Sequence, residues 1–226
     1  MNSPSKLLPT ALIFDCDGVL LDTNNAKSQI FFQIALPYGK DIATELCDFH
    51  SENGGVSRVT KINYLLTTLF SKYKITTSEP FHALQKKLLL EFSSLSYQSM
   101  LEAKVNNDAI KLIHKCRPDI CMMISGSDQT ELRSVLSARS LSSLFHSGIF
   151  GGPQNKEDIF RSKINIIKSS SFPVFIGDSK LDYSCALNSK IPFLFSTKWT
   201  DVPDWEPWVS INGISYSDNI YSYFVD

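Results

Sequence analysis

Hydrophobic positions along the chain fall into two patterns. Short apolar runs, each breaking off into polar or glycine residues, occupy residues 11–14, 120–124, 147–150, 173–176 and 191–195. Runs this short, bounded by turn-forming residues, read as strands buried on both faces. Around the later runs the spacing becomes helical, at residues 110–114, 131–141 and 156–168. Buried strands alternating with helices predict a Rossmann-like parallel sheet, an α/β core with helices on both faces. In such a sheet, ligands sit beyond the carboxyl ends of the strands.

The stretch between the first two runs, about 80 residues, is too long for a bare connection. Ile62, Leu65, Leu66, Leu69 and Phe70 follow the stripe of an amphipathic helix. Ser78 and Pro80 mark the start of another, with Phe81, Leu84, Leu88 and Leu95 expected on its apolar face. The expectation is an inserted α-helical cap domain over residues 24–105, with the α/β core made of residues 1–23 and 106–226. Hinges are expected near Asp22-Thr23 and residues 103–107.

Charge and composition narrow the function. Among 226 residues, Lys+Arg 22 against Asp+Glu 23 leave a net charge of -1, so no basic excess favours nucleic acid or an acidic membrane. No apolar run approaches the roughly 20 residues that cross a bilayer, and the start of the chain does not read as a secretory signal. A cytoplasmic protein, monomer or homodimer, is expected. Cys16, Cys47, Cys116, Cys121 and Cys185 are scattered, with no C-x-x-C pair, and read as reduced thiols. His50, His82, His114 and His146 are equally dispersed and read as solvated or packed imidazoles.

Reactive side chains collect at the strand ends. The first run breaks into Asp15-Cys16-Asp17-Gly18, the second into Ser125-Gly126-Ser127, and the fourth into Gly177-Asp178-Ser179. Asp15 and Asp17, separated by one residue where a buried strand ends, repel one another unless a cation or proton intervenes. An oxygen-only donor set suits Mg²⁺. Taken by itself, D-x-D-G also fits a plain turn or a calcium loop.

The string Ile13-Phe14-Asp15-Cys16-Asp17-Gly18-Val19-Leu20-Leu21-Asp22-Thr23, followed in order by Ser125, Lys156 and Gly177-Asp178-Ser179-Lys180-Leu181-Asp182, resembles the four motifs of the haloacid dehalogenase (HAD) superfamily. With a helical insertion after the first motif, the resemblance points to the β-phosphoglucomutase and phosphoglycolate phosphatase-like subgroup. It implies a magnesium-dependent phosphatase acting on a small phosphate ester, either a sugar phosphate or a phosphoglycolate-like acid. Asp15 would be the nucleophile and Asp17 the acid and base, for which a raised pKa would help. Lys156 would offset the repulsion between carboxylate and phosphate, and Ser125, Gly126 and Ser127 would hold phosphoryl oxygens. Asp15, Asp178 and the main-chain carbonyl of Asp17 would bind Mg²⁺, with Asp182 holding a metal-bound water or orienting Lys156.

Gly54-Gly55-Val56-Ser57-Arg58 is similar to the cap loop of the β-phosphoglucomutase-like members. On that likeness Arg58 would recognise a carboxylate or a second phosphate, for which its fork is suited. A sugar phosphomutase and a non-catalytic phosphate-binding protein are the alternatives. Against the mutase, Asp128 stands where such mutases carry a lysine for the second phosphate.

Overall fold

The computed structural model describes residues 7–225. The first apolar run is strand β1, Ala11–Phe14. Helices follow: α1 (Asn24–Ala35), α2 (Lys40–Glu52), α3 (Arg58–Tyr64), which runs through one wider π turn at Leu65–Leu69 into α4 (Phe70–Lys72), and α5 (Phe81–Glu102). Helices and strands then alternate as α6 (Asn107–Cys116), β2 (Ile120–Asp128), α7 (Gln129–Ala138), β3 (Ile149–Gly152), α8 (Lys156–Ile167) and β4 (Pro173–Gly177). The chain closes with α9 (Lys180–Ser189), β5 (Phe193–Ser196), α10 (Trp205–Ile211), β6 (Ser215–Ser217) and α11 (Ile220–Val225).

The strands form one parallel sheet in the order β3-β2-β1-β4-β5-β6. Connections from β1 step one way through β2 and β3, and those from β4 step the other way. The crevice at this reversal therefore opens beyond the carboxyl ends of β1 and β4. Alternation along each strand builds the two faces. Leu12, Phe14, Met123 and Ile176 face one apolar layer with α6, α7 and α11, whereas Ala11, Ile13, Met122 and Phe175 face another with α8 and α9.

The helical insertion has a core of its own. Phe31 and Ile34 of α1, Leu46 of α2, Ile62 of α3 and Leu84, Leu88 and Phe92 of α5 belong to an apolar cluster separate from the sheet layers. The two chain crossings between insertion and core lie side by side. Leu21 and Val105 form an antiparallel bridge, the Asp22 N–H donates to the Lys104 carbonyl at 3.0 Å, and the Asn106 N–H donates to that of Leu20 at 2.8 Å.

Two expectations need correction. The buried row of α5 is Leu84, Leu88, Phe92, Ser96 and Met100, while Phe81 is 41% exposed. The far half of this long helix leaves the cap's own core, and its Met100 packs into the layer shared with α7. Strand β6 was not expected, because Ser215–Ser217 carries no apolar run. It pairs only with β5 at the sheet edge, where backbone hydrogen bonds suffice and side chains stay outside the core. Trp205 and Trp208 pack against Phe195, as structural residues do. Among the described residues no helix is long and apolar enough to cross a membrane, and the five cysteines are free thiols.

Candidate active site

The end of β1 sets the geometry. Asp15 still belongs to the ladder, its N–H donating to the Ile176 carbonyl at 3.0 Å, and the chain then turns at Gly18. A Cβ at Gly18 would fall 2.0 Å from Asp178 Oδ2, and its φ of +74° favours glycine. That close approach brings the turn after β1 against the end of β4. Asp15 is 3% exposed; its Oδ1 accepts from the Cys16 N–H at 2.7 Å, and its Oδ2 lies 2.8 Å from Lys156 Nζ.

Lys156, in the first turn of α8, is shared between two carboxylates, Asp15 and Asp182, the latter at 2.7 Å. Burial works against its charge, but the two carboxylates outweigh it and hold its pKa above the ordinary lysine value. Asp182 is fully buried in the first turn of α9, and Ser179 with Asp182 forms a reciprocal capping box. The Asp182 carboxylate also accepts from the Asp178 N–H at 3.2 Å. Its placement thus orients Lys156.

Asp15, Asp178 and Asp182 offer carboxylate oxygens that lie within 4.8 Å of one another. Burial, and after it the neighbouring Asp15 and Asp182, raises the Asp178 pKa well above the usual carboxylate range. Asp178 Oδ2 accepts from Asn24 Nδ2 at 2.7 Å. Asp15 and Asp178 line the cavity, whereas Asp182 lies behind them, held by Lys156, Ser179 and backbone donors, so Asp15 and Asp178 are the pair placed to meet a cation. A buried, oxygen-only and mutually repelling set fits a hard divalent ion such as Mg²⁺.

Asp17 departs from expectation. Burial alone would push its carboxyl up. Lys27, at 2.6 Å, together with hydrogen bonds from Thr23 and Ser127, instead brings its pKa down to about 2. Lys27 also donates to Ser127 Oγ at 2.7 Å, so one ammonium group from α1 ties the cap to the loops after β1 and β2. The sequence reading missed Lys27, although the signal was available. In α1 it shares a helical face with Phe31, Ile34 and Ala35, all buried.

The loop after β2 carries Ser125, Gly126 and Ser127. Ser125 is fully buried, and its Oγ accepts from the Ser127 N–H at 3.2 Å. Gly126 lies directly beneath the cap loop; a Cβ there would be 2.1 Å from the Gly55 carbonyl oxygen. Asp128 caps α7, accepting from the Glu131 N–H at 3.0 Å.

A small cavity lies between the carboxyl edge of the sheet and the insertion. Its walls include Asp15, Asp17, Gly126, Ser127 and Asp178 from the core and Arg58, Lys61, His50, Phe31 and Phe92 from the cap. Arg58 is already engaged: its guanidinium is 2.7 Å from Glu131 Oε2 and 3.9 Å from Asp128 Oδ2, and lies over the Phe92 ring. Ser96 donates to the other Glu131 oxygen at 2.9 Å, so two cap residues hold one core carboxylate.

No protein-family model matches the sequence, and no curated protein matches it. Solved structures do. CbbY of Rhodobacter sphaeroides, in complex with phosphate, superposes with a TM-score of 0.68 at 15% identity over 95% of this chain and 96% of that one. A haloacid dehalogenase-like family hydrolase of Streptococcus pneumoniae gives 0.59 at 17% over 92% of each chain. The magnesium-bound YfnB of Bacillus subtilis gives 0.61 at 15%, over 92% of this chain and all of that one. The fold is therefore HAD-like, a Rossmann-like core with an inserted helical cap.

Proposed function

We propose that this chain is a magnesium-dependent phosphoric monoester hydrolase of the haloacid dehalogenase type, acting on a small phosphorylated metabolite, with residues 24–105 as its cap. The observation that carries the reading is the Asp15 carboxylate at the sheet's reversal point, 2.8 Å from Lys156, beside Asp178, and lining a cavity that the insertion helps to wall. Phosphate in the Rhodobacter sphaeroides neighbour and magnesium in that of Bacillus subtilis support both halves of it.

Asp15 attacks phosphorus in line through the oxygen not held by Cys16, displacing the alcohol and forming an aspartyl-phosphate that water then hydrolyses. Lys156 offsets the negative charge brought together as carboxylate meets phosphate, and Asp182 keeps its ammonium group in place. Asp17 lines the same cavity, beside Lys27 of the insertion. As a carboxylate held by Lys27, Thr23 and Ser127 it is ready to accept the proton of the attacking water. To protonate the alcohol in the first step, it must first gain a proton as substrate displaces those partners. Asp15, Asp178 and the Asp17 carbonyl would hold Mg²⁺, which supplies charge neutralisation to phosphoryl oxygens.

Asp128 and Glu131 flank Arg58 with negative charge, which disfavours a bisphosphate intermediate and hence the mutase alternative. Five free thiols support a reducing, cytoplasmic location. The test is release of inorganic phosphate from an aryl phosphate and a panel of phosphorylated metabolites, with and without magnesium. Turnover that needs the metal and is lost in Asp15→Asn supports the reading. Undiminished release by Asp15→Asn contradicts it.

A further inference from the structure

The polar side chains that the insertion presents to the cavity have separate partners. Arg58 is paired with Glu131 and Lys27 with Asp17, and Lys61 Nζ lies 2.6 Å from His50 Nδ1. Asn24 alone, among the described residues of the insertion, hydrogen-bonds Asp178, its Nδ2 donating to Oδ2 at 2.7 Å. It is the first residue of α1, directly past Asp22-Thr23, where the chain enters the insertion. The same Nδ2 donates to the Trp199 carbonyl at 2.9 Å, so both hydrogens of the amide are used.

Asp178 is gripped at each of its polar groups. Its N–H donates to Asp182, its carbonyl accepts from Thr200 Oγ1 at 2.7 Å, and its carboxylate accepts from Asn24. No other donor among the described residues hydrogen-bonds that carboxylate, so one oxygen is held while the other stays available. The bond lies against the turn after β1. A Cβ at Gly18 would fall 2.0 Å from Asp178 Oδ2 and 2.4 Å from Asn24 Nδ2, so glycine leaves the room that this bond needs. The loop after β5 meets the returning crossing as well, where Lys198 Nζ lies 3.5 Å from Asn106 Oδ1 and 3.1 Å from Asp108 Oδ2. Asn24 is thus the point at which the entry to the insertion, that loop and the end of β4 come together.

A carboxylate that meets a cation beside a second carboxylate binds it best when it is already turned, because ordering a side chain at the moment of binding costs affinity. We infer that Asn24 is a positioning residue of the metal site: it fixes the Asp178 carboxylate for a divalent cation and, standing on the insertion, couples metal binding to the seating of α1 on the core. The inference rests on the metal-dependent phosphatase reading and assigns a residue of the insertion to the same site. Coupling of this kind is reciprocal. Whatever factor the seated amide adds to metal affinity, the metal adds to the seating.

The test is calorimetric titration of Mg²⁺ alone into the wild type, Asn24→Leu, which keeps the branched shape without the donor, and Asn24→Ala. The Kd for Mg²⁺ should rise by about tenfold or more in both variants, the loss that follows removal of a group orienting a metal ligand. In the wild type, Mg²⁺ should also slow hydrogen exchange at the amides of residues 27–31 of α1 by about threefold or more, and in the variants it should leave that exchange unchanged. A merely structural tie would lower urea stability without moving the affinity of the folded protein for the ion. An Mg²⁺ affinity within about twofold of the wild type in either folded variant overturns the inference. Protection by Mg²⁺ that is absent in the wild type, or equal in wild type and variants, overturns the coupling. A wild type that binds no Mg²⁺ removes the inference together with the metal dependence of the phosphatase reading. If the wild type binds Mg²⁺ but hydrolyses no ester, the phosphatase reading falls by itself, and the comparison of Asn24 variants still decides the inference.

Discussion

Replacing Lys61 by methionine should stabilise the ligand-free protein at neutral and acid pH, and progressively less as pH rises. Burial, only partly offset by Asp201, lowers the Lys61 pKa from 10.5 to about 7. Below pH 7 the group is protonated in the folded and unfolded chains alike, and the full penalty of burying its charge is present. Between pH 7 and 10.5 the folded chain has released the proton while the unfolded chain retains it. Stability therefore rises with pH across that window, and the penalty vanishes above it. At about 1.4 kcal/mol per pKa unit the penalty is roughly 5 kcal/mol. Methionine fills the space but leaves His50 Nδ1 without its donor, which takes back roughly 1–3 kcal/mol. A net gain of about 2–4 kcal/mol is expected at pH 6. Urea denaturation of both proteins from pH 5.5 to 10 measures it, and groups that titrate in common cancel in the difference. A variant less stable than the wild type at pH 6, or a difference flat across the range, refutes the reasoning.

Other outcomes follow from single contacts. Asp182→Ala strips acceptors from Lys156, Ser179 and the Asp178 N–H, so stability should fall by about 3–5 kcal/mol in the same urea assay; a loss under 1 kcal/mol would deny Asp182 its anchoring role. Gly126→Ala places a methyl group 2.1 Å from the Gly55 carbonyl, so the cap loop must lift. Amide hydrogens of residues 54–58 should exchange faster and turnover of small esters should fall about tenfold or more, whereas unchanged exchange would mean that the loop does not rest there. Lys27→Met removes the ammonium group that holds Asp17 and Ser127 together, and kcat should drop by roughly 10–100-fold; a wild-type kcat would exclude Lys27 from positioning Asp17.

What was legible in the sequence follows from how strongly each element depends on apolar side chains. β1 and β4 match their apolar runs closely because both strands lie mid-sheet with apolar layers on each face. β6 was invisible because an edge strand of Ser-Tyr-Ser holds its place by backbone bonds alone. Among site residues, Asp15, Lys156, Asp178 and Asp182 stand at strand ends and helix starts, where turn residues mark them, and the structure brings the four together. Lys27, His50 and Lys61 lie inside cap helices, and no local motif frames them. Their signal is a titratable residue on an apolar stripe: His50 follows Ile42 and Leu46 at intervals of four in α2, and Lys61 stands beside Ile62 and four residues before Leu65. Glu131 was read only as part of a helix, because its partners Arg58 and Ser96 are distant along the chain.

The central claim is that Asp15 carries the phosphoryl group during turnover. Mass spectrometry of protein mixed with magnesium and a hydrolysed ester, acid-quenched within one turnover and digested, measures this directly. The account predicts one added phosphoryl group on the peptide containing Asp15, cleaved by hydroxylamine and missing from Asp15→Asn. A phosphoryl group on another residue, or rapid phosphate release with no modified peptide at any quench time, would contradict it.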